Sequence, residues 1–497
     1  MPTRIRRDAA LLLAIAAVFL AAAIAVALRR APWCDEAWFA CAGFNLAAHG
    51  KLVTPVIAPA PDDPKTLGLA EHTYWVMPLH LIFQAGWYQL FGFSLFALRS
   101  VSILWGLVAL GAWFLIVRAL TGETPVAILT MALLGTDFVF VMRAADGRMD
   151  MMSAALSYSA LAAYLVLRNR SLNLAVLCAH GLVVLSGLTH PNGGLLSFAG
   201  VLFLMFYCDR RSLRPRHAAL AAIPYVAGLA AWGPYIAQDP KLFLTQFGGN
   251  ASGRLSDALR PWLAVRREIQ DRYLATFGWH SGAPAAAKIR LLILAGYLIG
   301  AAGTLAAAPL RRLRGVRALM ILAAMHVLFL TFESVKHPAY LVYTIPFFSA
   351  LLALWIVWCR SRSRRLFAAV VLGAIAFTGL QLGSIAHVVA RDDYRRTYLP
   401  AAAFVKAHAL PTDVVMGEPE MGFALGFDTA FIDDRRLGYY SHTVPRFIVL
   451  GGDYPATFEM FRRERPDIAK HIDAMLASRY APCYQNELYT VYCAAKP

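Results

Sequence analysis

The chain has 497 residues, of which 59% are hydrophobic and only 15% are charged. Its mean hydropathy is positive, and this composition excludes an ordinary soluble enzyme. The net charge of +17 suggests nucleic-acid binding, but residues 389–497 hold 13 Lys and Arg against 14 Asp and Glu. The basic surplus therefore lies in the apolar part of the chain, and we expect no nucleic-acid partner.

Apolar runs long enough to cross a hydrocarbon layer of about 30 Å recur along the first four fifths of the chain. They begin near Leu11, Ser100, Pro125, Met151, Leu172, Gly194, Ala218, Lys288, Ala318, Tyr340 and Leu366. We therefore predict an all-α polytopic membrane protein with about eleven transmembrane helices. Residues 1–28 also resemble a cleaved signal peptide, but the first run is long enough to span, which favours a membrane anchor.

Arg and Lys cluster in every second loop between these runs, which is the pattern of cytoplasmic loops. The clusters are Arg4, Arg6, Arg7; Arg118; Arg168, Arg170; Arg210, Arg211, Arg214, Arg216; Arg311, Arg312, Arg314, Arg317; and Arg360, Arg362, Arg364, Arg365. The N-terminus is then cytoplasmic, and the other loops and the C-terminal segment face the outer, periplasm-like side. Arg29 and Arg30 break the pattern, which makes them candidates for a role in a site.

Two outer loops are too long to be simple connectors. Residues 29–99 contain amphipathic stretches over 37–49 and 79–90, which we expect to form interfacial helices on the membrane surface. Residues 238–287 include Phe247-Gly248-Gly249-Asn250. Two interpretations of this second loop stay open, namely a mobile lid or acceptor loop and a passive surface loop.

The pattern changes after about residue 390. Short mixed signals predict a helix over 398–408, strands over 413–416 and 447–450, a helix over 455–463 and a terminal hairpin. We therefore divide the chain into a membrane domain, residues 1–390, and a small soluble α/β domain, residues 391–497.

Four cysteines are predicted on the outer side, where an oxidising compartment allows disulfides. Cys483 and Cys493 bracket the terminal hairpin and form a candidate pair. Cys34 and Cys41 are either a second disulfide or two packed thiols, and their spacing does not decide between these.

Asp35 and Glu36 stand side by side just after the first apolar run. Two adjacent carboxylates at a membrane exit are costly to place against lipid, so they indicate a function. We interpret Asp35 as a general base and Glu36 as its partner in a catalytic centre that faces the outer side.

Four further outer-side segments carry candidate substrate-binding residues, which we expect to share a site with the carboxylates. They are 143–150 with Arg143, Arg148 and Asp150; 189–194 with His190; 333–340 with Lys336, His337 and Tyr340; and 71–79 with Tyr74. Cations at this level suit a lipid phosphate, and aromatic rings suit a sugar or headgroup. Structural interpretations stay open for each: a salt-bridge cluster, an end-of-span histidine, a snorkelling lysine and an aromatic belt.

These segments, in order, carry a family resemblance. The acidic pair, an aromatic stretch ending in Pro-Leu, "LFGFSLFALRS", "RAADGRMD", "GLTHPNGG" and "KHPAYLVYTIPF" resemble the GT-C glycosyltransferases. Within that fold, the chain is similar to the group of protein mannosyltransferases and lipid A aminoarabinose transferases over residues 1 to about 390.

The resemblance implies an integral-membrane glycosyltransferase that moves a sugar from a polyprenyl-phosphate carrier to a hydroxyl of a lipid, glycan or protein acceptor in the cell envelope. It places Asp35 near the acceptor, and Lys336 and Tyr340 near the carrier phosphate. Aminoarabinose transferases carry a Lys before Pro-Pro-Leu, where this chain has Val76-Met77-Pro78-Leu79. We expect Arg143, Arg148 or His337 to replace that phosphate ligand.

A single displacement on such a donor predicts inversion at the anomeric carbon. The alternative function is a transporter or lipid flippase, because charges near the membrane also mark transport paths. No zinc-binding constellation, P-loop or Rossmann fingerprint is present in the sequence. The sequence leaves a divalent metal ion open, held by Asp35 and Glu36 with Asp146 or Asp150.

Overall fold

The structure, a computed structural model, describes residues 2–427 and 431–494. Most of the chain is α-helical. The helices are α1 Pro2–Arg29, α2 Cys34–His49, α3 Pro78–Phe91, α4 Leu95–Thr121, α5 Thr124–Gly135, α6 Phe138–Ala144, α7 Asp150–Leu167, α8 Leu172–Thr189, α9 Pro191–Asp209, α10 Pro215–Ile236, α11 Pro240–Ala251, α12 Pro261–Arg267, α13 Leu291–Ala306, α14 Ala308–Arg312, α15 Arg314–Phe332, α16 Ile345–Arg360, α17 Arg364–Arg391, α18 Leu399–His408, α19 Gly422–Leu425, α20 Asp453–Glu464 and α21 Pro466–Arg479.

Short 3-10 and π-helical segments lie between these helices. They cover Pro64–Thr66, Ser256–Leu259, Glu268–Leu274, Ala285–Arg290, Pro338–Tyr343, Tyr394–Tyr398 and Pro419–Met421. The predicted loop 238–287 is therefore largely helical, and α2 and α3 occupy the two stretches that we expected to form interfacial helices.

Nine helices of the described residues are long and apolar enough to cross a membrane. The pair α5 and α6 adds a tenth span if it is counted as one, and it is bent by 66°. This architecture confirms an all-α polytopic membrane protein. The count is slightly below the expected eleven because the run predicted from Tyr340 begins with a 3-10 turn, which leaves the 16 residues of α16 as a shorter apolar helix.

Buried polar groups stabilise the bend between α5 and α6. The Asp137 carboxylate caps α6 by accepting from the Phe140 amide at 2.6 Å. It also accepts from the Tyr297 hydroxyl and the Gln381 amide, each at 2.7 Å. Polar groups inside a membrane need internal partners, and this network supplies them where the helix is broken.

A five-stranded sheet forms part of the C-terminal segment. Its strands are β1 Val415–Gly417, β2 Phe431–Ile432, β3 Phe447–Leu450, β4 Tyr480–Gln485 and β5 Thr490–Ala494. The order is β2-β1-β3-β5-β4, with β1 parallel to both neighbours and the hairpin β4–β5 antiparallel. The predicted α/β character of the C-terminal segment and its terminal hairpin are therefore confirmed.

Apolar side chains from β3, α20 and α21 form the core of this sheet domain. Ile448, Tyr454, Phe458 and Ile472 are among its buried members. Helices α20 and α21 pack together against the sheet, as an α/β layer requires.

The two predicted cysteine pairs differ in whether they form a disulfide. Cys483 and Cys493 form a disulfide that joins the two strands of the terminal hairpin. Cys34 and Cys41 are both buried and unbridged, so of the two interpretations the structure has the packed thiols.

The chain divides into two compact units. Unit 1 comprises Met1–Val26, Ser102–Pro234 and Ser252–His387, and unit 2 comprises Ala27–Val101, Tyr235–Ala251 and Val388–Pro497. The segment that we predicted as an independent domain, residues 391–497, is thus part of a larger unit that also includes α2 and α3. One reason is a contact inside unit 2, where Ile57 pairs with Asp433 in a parallel bridge.

Candidate active site

The carboxylates Asp35 and Glu36 lie in the first turn of α2, in unit 2. Negative charge is favourable at a helix N-terminus, where the backbone N–H groups point outward. The two side chains nevertheless have different surroundings. Asp35 is half-buried, whereas Glu36 has no exposed surface.

Glu36 is held in a buried ion pair with Arg99. The Arg99 guanidinium donates from Nε and Nη2 to the two carboxylate oxygens of Glu36 at 2.7 and 2.6 Å. The same guanidinium donates to three backbone carbonyls, those of Ala27, Arg30 and Ala31, at 2.8, 2.8 and 3.1 Å. This arrangement corrects the predicted catalytic role of Glu36, because a fully buried carboxylate bound by both oxygens is a structural group.

The two arginines that break the charge pattern also make ion pairs inside unit 2. Arg30 Nη2 lies 3.5 Å from a Glu36 oxygen. Arg29 pairs with Asp392. These ion pairs explain why two arginines lie beside the first span, so neither arginine needs to be explained by membrane topology.

Asp35 is surrounded by groups from both α2 and the C-terminal segment. The Cys34 thiol lies 3.6 Å from an Asp35 carboxylate oxygen, and Arg435 donates to the Cys34 sulfur at 3.0 Å. The Arg435 guanidinium also lies 4.8 Å from the centre of the Trp38 ring. Burial raises the pKa of the Cys34 thiol well above its usual value, although Arg435 acts in the opposite direction, so the sulfur is a neutral neighbour of Asp35.

Trp38 fixes the position of α2 in unit 2. Its indole N–H donates to Asp433 at 2.7 Å, and the Tyr454 hydroxyl donates to the other Asp433 oxygen at 2.7 Å. Burial raises the pKa of Asp433, while Arg435 lowers it. Asp35 is therefore presented by a helix whose first turn is anchored through side-chain hydrogen bonds.

Tyr74, which we predicted to bind substrate, is a core residue of unit 2. It has no exposed surface, and its hydroxyl donates to the Tyr235 carbonyl at 2.8 Å. Its backbone N–H donates to Gln246 at 2.7 Å. The prediction is corrected, because an enclosed ring with a satisfied hydroxyl has no face for a sugar.

Unit 1 contains the predicted loop 143–150 between α6 and α7. Arg143 pairs with Asp146 at 2.8 Å, and Arg148 pairs with Asp150 at 2.7 Å. The side chain of Arg143 is 18% exposed, whereas that of Arg148 is 7% exposed. The salt-bridge cluster that the sequence left open is thus present, and Arg143 is its more accessible cation.

His190 and Tyr340 come together in unit 1. The His190 Nδ1 accepts from the Asn192 amide at 3.1 Å and caps α9. Its Nε2 lies 3.5 Å from the Tyr340 hydroxyl. Burial lowers the pKa of His190 to about 4, with Arg254 and Arg148 acting in the same direction and Asp150 opposing them. The imidazole is therefore neutral at physiological pH.

Arg254 joins His190 and Tyr340 in a group that we call the Tyr340 cluster, and the sequence did not indicate it as a site residue. It donates to the Tyr340 hydroxyl at 3.1 Å and to a Glu333 oxygen at 3.3 Å. Its side chain is 26% exposed. The only sequence signal was its place in the long outer loop, next to Gly253 in a turn.

Lys336 caps a helix in this structure. Its ammonium donates to the backbone carbonyls of Leu330, Thr331 and Glu333 at 3.2, 2.6 and 2.6 Å, which are the last carbonyls of α15 and its cap. Glu268 lies 3.3 Å away. With 3% of the side chain exposed, Lys336 is corrected from a phosphate ligand to a C-terminal cap, where cations are favourable.

His337 and Glu333 complete the titratable groups of this segment. The His337 Nδ1 accepts from the Ala339 amide at 3.1 Å. Burial lowers the pKa of His337 well below its usual value, and Arg148 and Arg143 add to the effect. Burial raises the pKa of Glu333 to about 7, although Arg272 and Arg254 lower it.

A metal site is not built by these residues. Among residues 2–427 and 431–494, no group of three or more His, Cys, Asp or Glu side chains is placed to hold a metal ion. The Glu36 oxygens, which the sequence analysis offered as ligands, are taken by Arg99.

Comparison with known proteins gives one family and several similar folds. The pattern of the dolichyl-phosphate-mannose-protein mannosyltransferase family matches residues 72–234. No curated protein sequence matches the chain. The crystal structure of ArnT from Cupriavidus metallidurans bound to undecaprenyl phosphate superposes with a TM-score of 0.60 at 16% identity, covering 98% of this chain and 99% of that one.

A second similar structure is the archaeal oligosaccharyltransferase AglB from Archaeoglobus fulgidus, in complex with an inhibitory peptide and a dolichol-phosphate. Its TM-score is 0.56 at 14% identity, covering 93% of this chain and 68% of that one. At such low identity the likeness concerns the fold. The family match over residues 72–234 supports the predicted resemblance to the GT-C glycosyltransferases, and the similar structures show that the chain shares their fold.

Proposed function

We propose that this protein transfers a sugar from a polyprenyl-phosphate carrier to a hydroxyl group of a cell-envelope acceptor. The observation that carries the proposal is the Arg254 guanidinium beside Tyr340 and the neutral His190, at loop ends of a GT-C fold. Such donors suit the phosphate of a lipid carrier. The ArnT structure bound to undecaprenyl phosphate and the AglB complex with a dolichol-phosphate support this donor class.

Exposure decides which cations of unit 1 take the phosphate. Arg254 and Arg143 keep 26% and 18% of their side chains exposed. Arg272 and Lys336 keep 0% and 3%, because they bind buried carboxylates and backbone carbonyls. We assign Arg254 and Arg143 as phosphate ligands and Arg148 as support for the loop that presents Arg143.

The reaction needs little help with the leaving group, because a phosphate on a lipid carrier departs as a stable anion. Guanidinium groups offset the charge that develops on the departing phosphate, which is usually the larger catalytic contribution. The remaining task is to remove the proton of the acceptor hydroxyl. We assign this task to Asp35, for which general-base catalysis contributes about 10²–10⁴-fold. Attack in a single displacement gives a product of inverted configuration.

The proposed location is a bacterial inner membrane, with the N-terminus in the cytoplasm and the C-terminal domain in the periplasm. The alternation of Arg clusters between spans supports this orientation. The disulfide Cys483–Cys493 supports it independently, because disulfides persist in oxidising compartments.

The test separates donor binding from chemistry in purified full-length protein. Undecaprenyl phosphate binding is measured for wild type, Arg254→Gln and the matched control Arg267→Gln, whose side chain is 36% exposed. We expect Arg254→Gln to weaken binding about tenfold or more, since a hydrogen bond to a charged group contributes about 1.5–3 kcal/mol. Equal affinities of Arg254→Gln and wild type would refute the phosphate assignment.

A further inference from the structure

A long apolar groove runs along the outside of three helices of unit 1. Helices α5, α16 and α17 line the groove, and its volume is about 910 Å³. This volume is near the upper end of the range for ligand-binding pockets, about 300–1,000 Å³. Leu129, Leu133, Ile356, Val371 and Ile375 form much of the wall. A hydrocarbon chain is the ligand that such a wall accommodates within a membrane.

One end of this groove carries two opposite charges. Glu123 precedes the first turn of α5, and Arg360 is the last residue of α16. Both side chains line the groove and are exposed. Neither makes an ion pair within residues 2–427 and 431–494, so each is available to a charged ligand.

Further cations lie just beyond this end. Arg362, Arg364 and Arg365 follow in the short connection to α17 and its first turn. The Arg362 guanidinium lies 4.8 Å from the centre of the Trp358 ring. The phosphate of a headgroup is therefore favoured on the Arg360 side, and only a headgroup that also carries an ammonium group gains a partner in Glu123.

We propose that this groove binds one zwitterionic membrane phospholipid of the phosphatidylethanolamine type. One of its two acyl chains lies along α5 and α17, its phosphate lies at Arg360, and its ammonium group lies at Glu123. This lipid carries a negative phosphate that complements Arg360 and a positive ammonium group that complements Glu123. Within unit 1 the site shares no residue with the Tyr340 cluster, and it does not depend on the proposed glycosyl transfer.

Two glycines of α17 allow the groove to be closed with a matched control. Gly379 lines the groove, whereas Gly373 on the same helix does not and lines a different groove instead. A Cβ added to either glycine meets no atom within 4 Å. Gly379→Phe therefore fills the groove without a backbone clash, and Gly373→Phe places the same ring on the same helix outside it.

The experiment is native mass spectrometry of the full-length protein after delipidation, with equimolar phosphatidylethanolamine and phosphatidylglycerol added. We expect wild type and Gly373→Phe to retain one lipid, with phosphatidylethanolamine favoured about two- to fivefold, the range that one exposed ion pair supports. Gly379→Phe should lose the bound lipid. Glu123→Gln should remove the preference while binding persists.

Three results would overturn the proposal. Retention of lipid by Gly379→Phe at the wild-type level would place the lipid elsewhere. Equal or stronger retention of phosphatidylglycerol by wild type would show that the ammonium group has no counterpart at Glu123. A preference that survives in Glu123→Gln would have the same meaning.

Discussion

Replacing Arg99 by methionine tests whether Glu36 is a structural group. The substitution removes two charge-assisted hydrogen bonds to Glu36 and three donors to the carbonyls of Ala27, Arg30 and Ala31. It keeps a long apolar side chain in the same place. Glu36 then remains without its main partner at a position with no exposed surface.

The size of the effect follows from this geometry. Removing one partner of a buried ion pair costs about 3–5 kcal/mol, because the other charge stays buried. Arg30, 3.5 Å from Glu36, offsets part of that cost. The double variant Arg99→Met with Glu36→Met removes the orphaned charge, and we expect it to be about 1–3 kcal/mol more stable than Arg99→Met alone.

The assay is the free energy of unfolding in mixed micelles, measured by titration with SDS. The control is Arg118→Met, an exposed cation on the same helix α4, for which we expect a change within about 0.5 kcal/mol. An Arg99→Met protein as stable as the control would refute the reasoning. So would a double variant no more stable than the single one.

Three further predictions concern stability. Lys336→Met should destabilise the fold by about 2–3 kcal/mol, measured in the same titration, yet leave undecaprenyl phosphate affinity unchanged, because its ammonium caps α15. Cys483→Ser should cost about 2–3 kcal/mol, since the disulfide closes a short loop; dithiothreitol should destabilise only the wild type. Burial raises the pKa of Glu418 from 4.5 to about 7. The contribution of this side chain to the free energy of unfolding is therefore fully present below about pH 4.5 and is lost as the pH rises through 7. Glu418→Gln should flatten this decline in the free energy of unfolding, measured from pH 4 to 8.

Local sequence signals predicted most of the fold. Span-length apolar runs gave the transmembrane helices, and the apolar stretch 447–450 coincides with β3. The terminal hairpin and its disulfide also followed from local residues. These features depend on neighbours in sequence, which is why they were visible.

Features that depend on distant residues were not predicted. The bend at Asp137 relies on Tyr297 and Gln381, which lie more than a hundred residues away in sequence. Likewise, nothing local to Asp35 and Glu36 shows that Arg99 binds only the second of them. The short strand β2 escaped notice because two residues carry no periodic signal.

The candidate site also combines features that local sequence predicted with features that depend on distant residues. Segment 333–340 was identified correctly as a concentration of titratable groups, but the sequence did not show that Lys336 binds backbone carbonyls at the end of its own preceding helix. Arg254 was missed because a lone arginine in a long loop looks like any solvated cation. Its contact with Tyr340 is set by the tertiary fold.

The most direct test of the central claim is a transfer assay with purified protein, undecaprenyl-phosphate-linked sugars and a cell-envelope extract as acceptor. Asp35→Asn is compared with wild type and with Asp63→Asn, a carboxylate that pairs with Lys65 at 3.6 Å on another segment. We predict that Asp35→Asn lowers kcat about 10²–10⁴-fold while undecaprenyl phosphate affinity and unfolding free energy stay at wild-type levels. Wild-type transfer by Asp35→Asn, or no transfer by wild type with any sugar of the panel, would contradict the account.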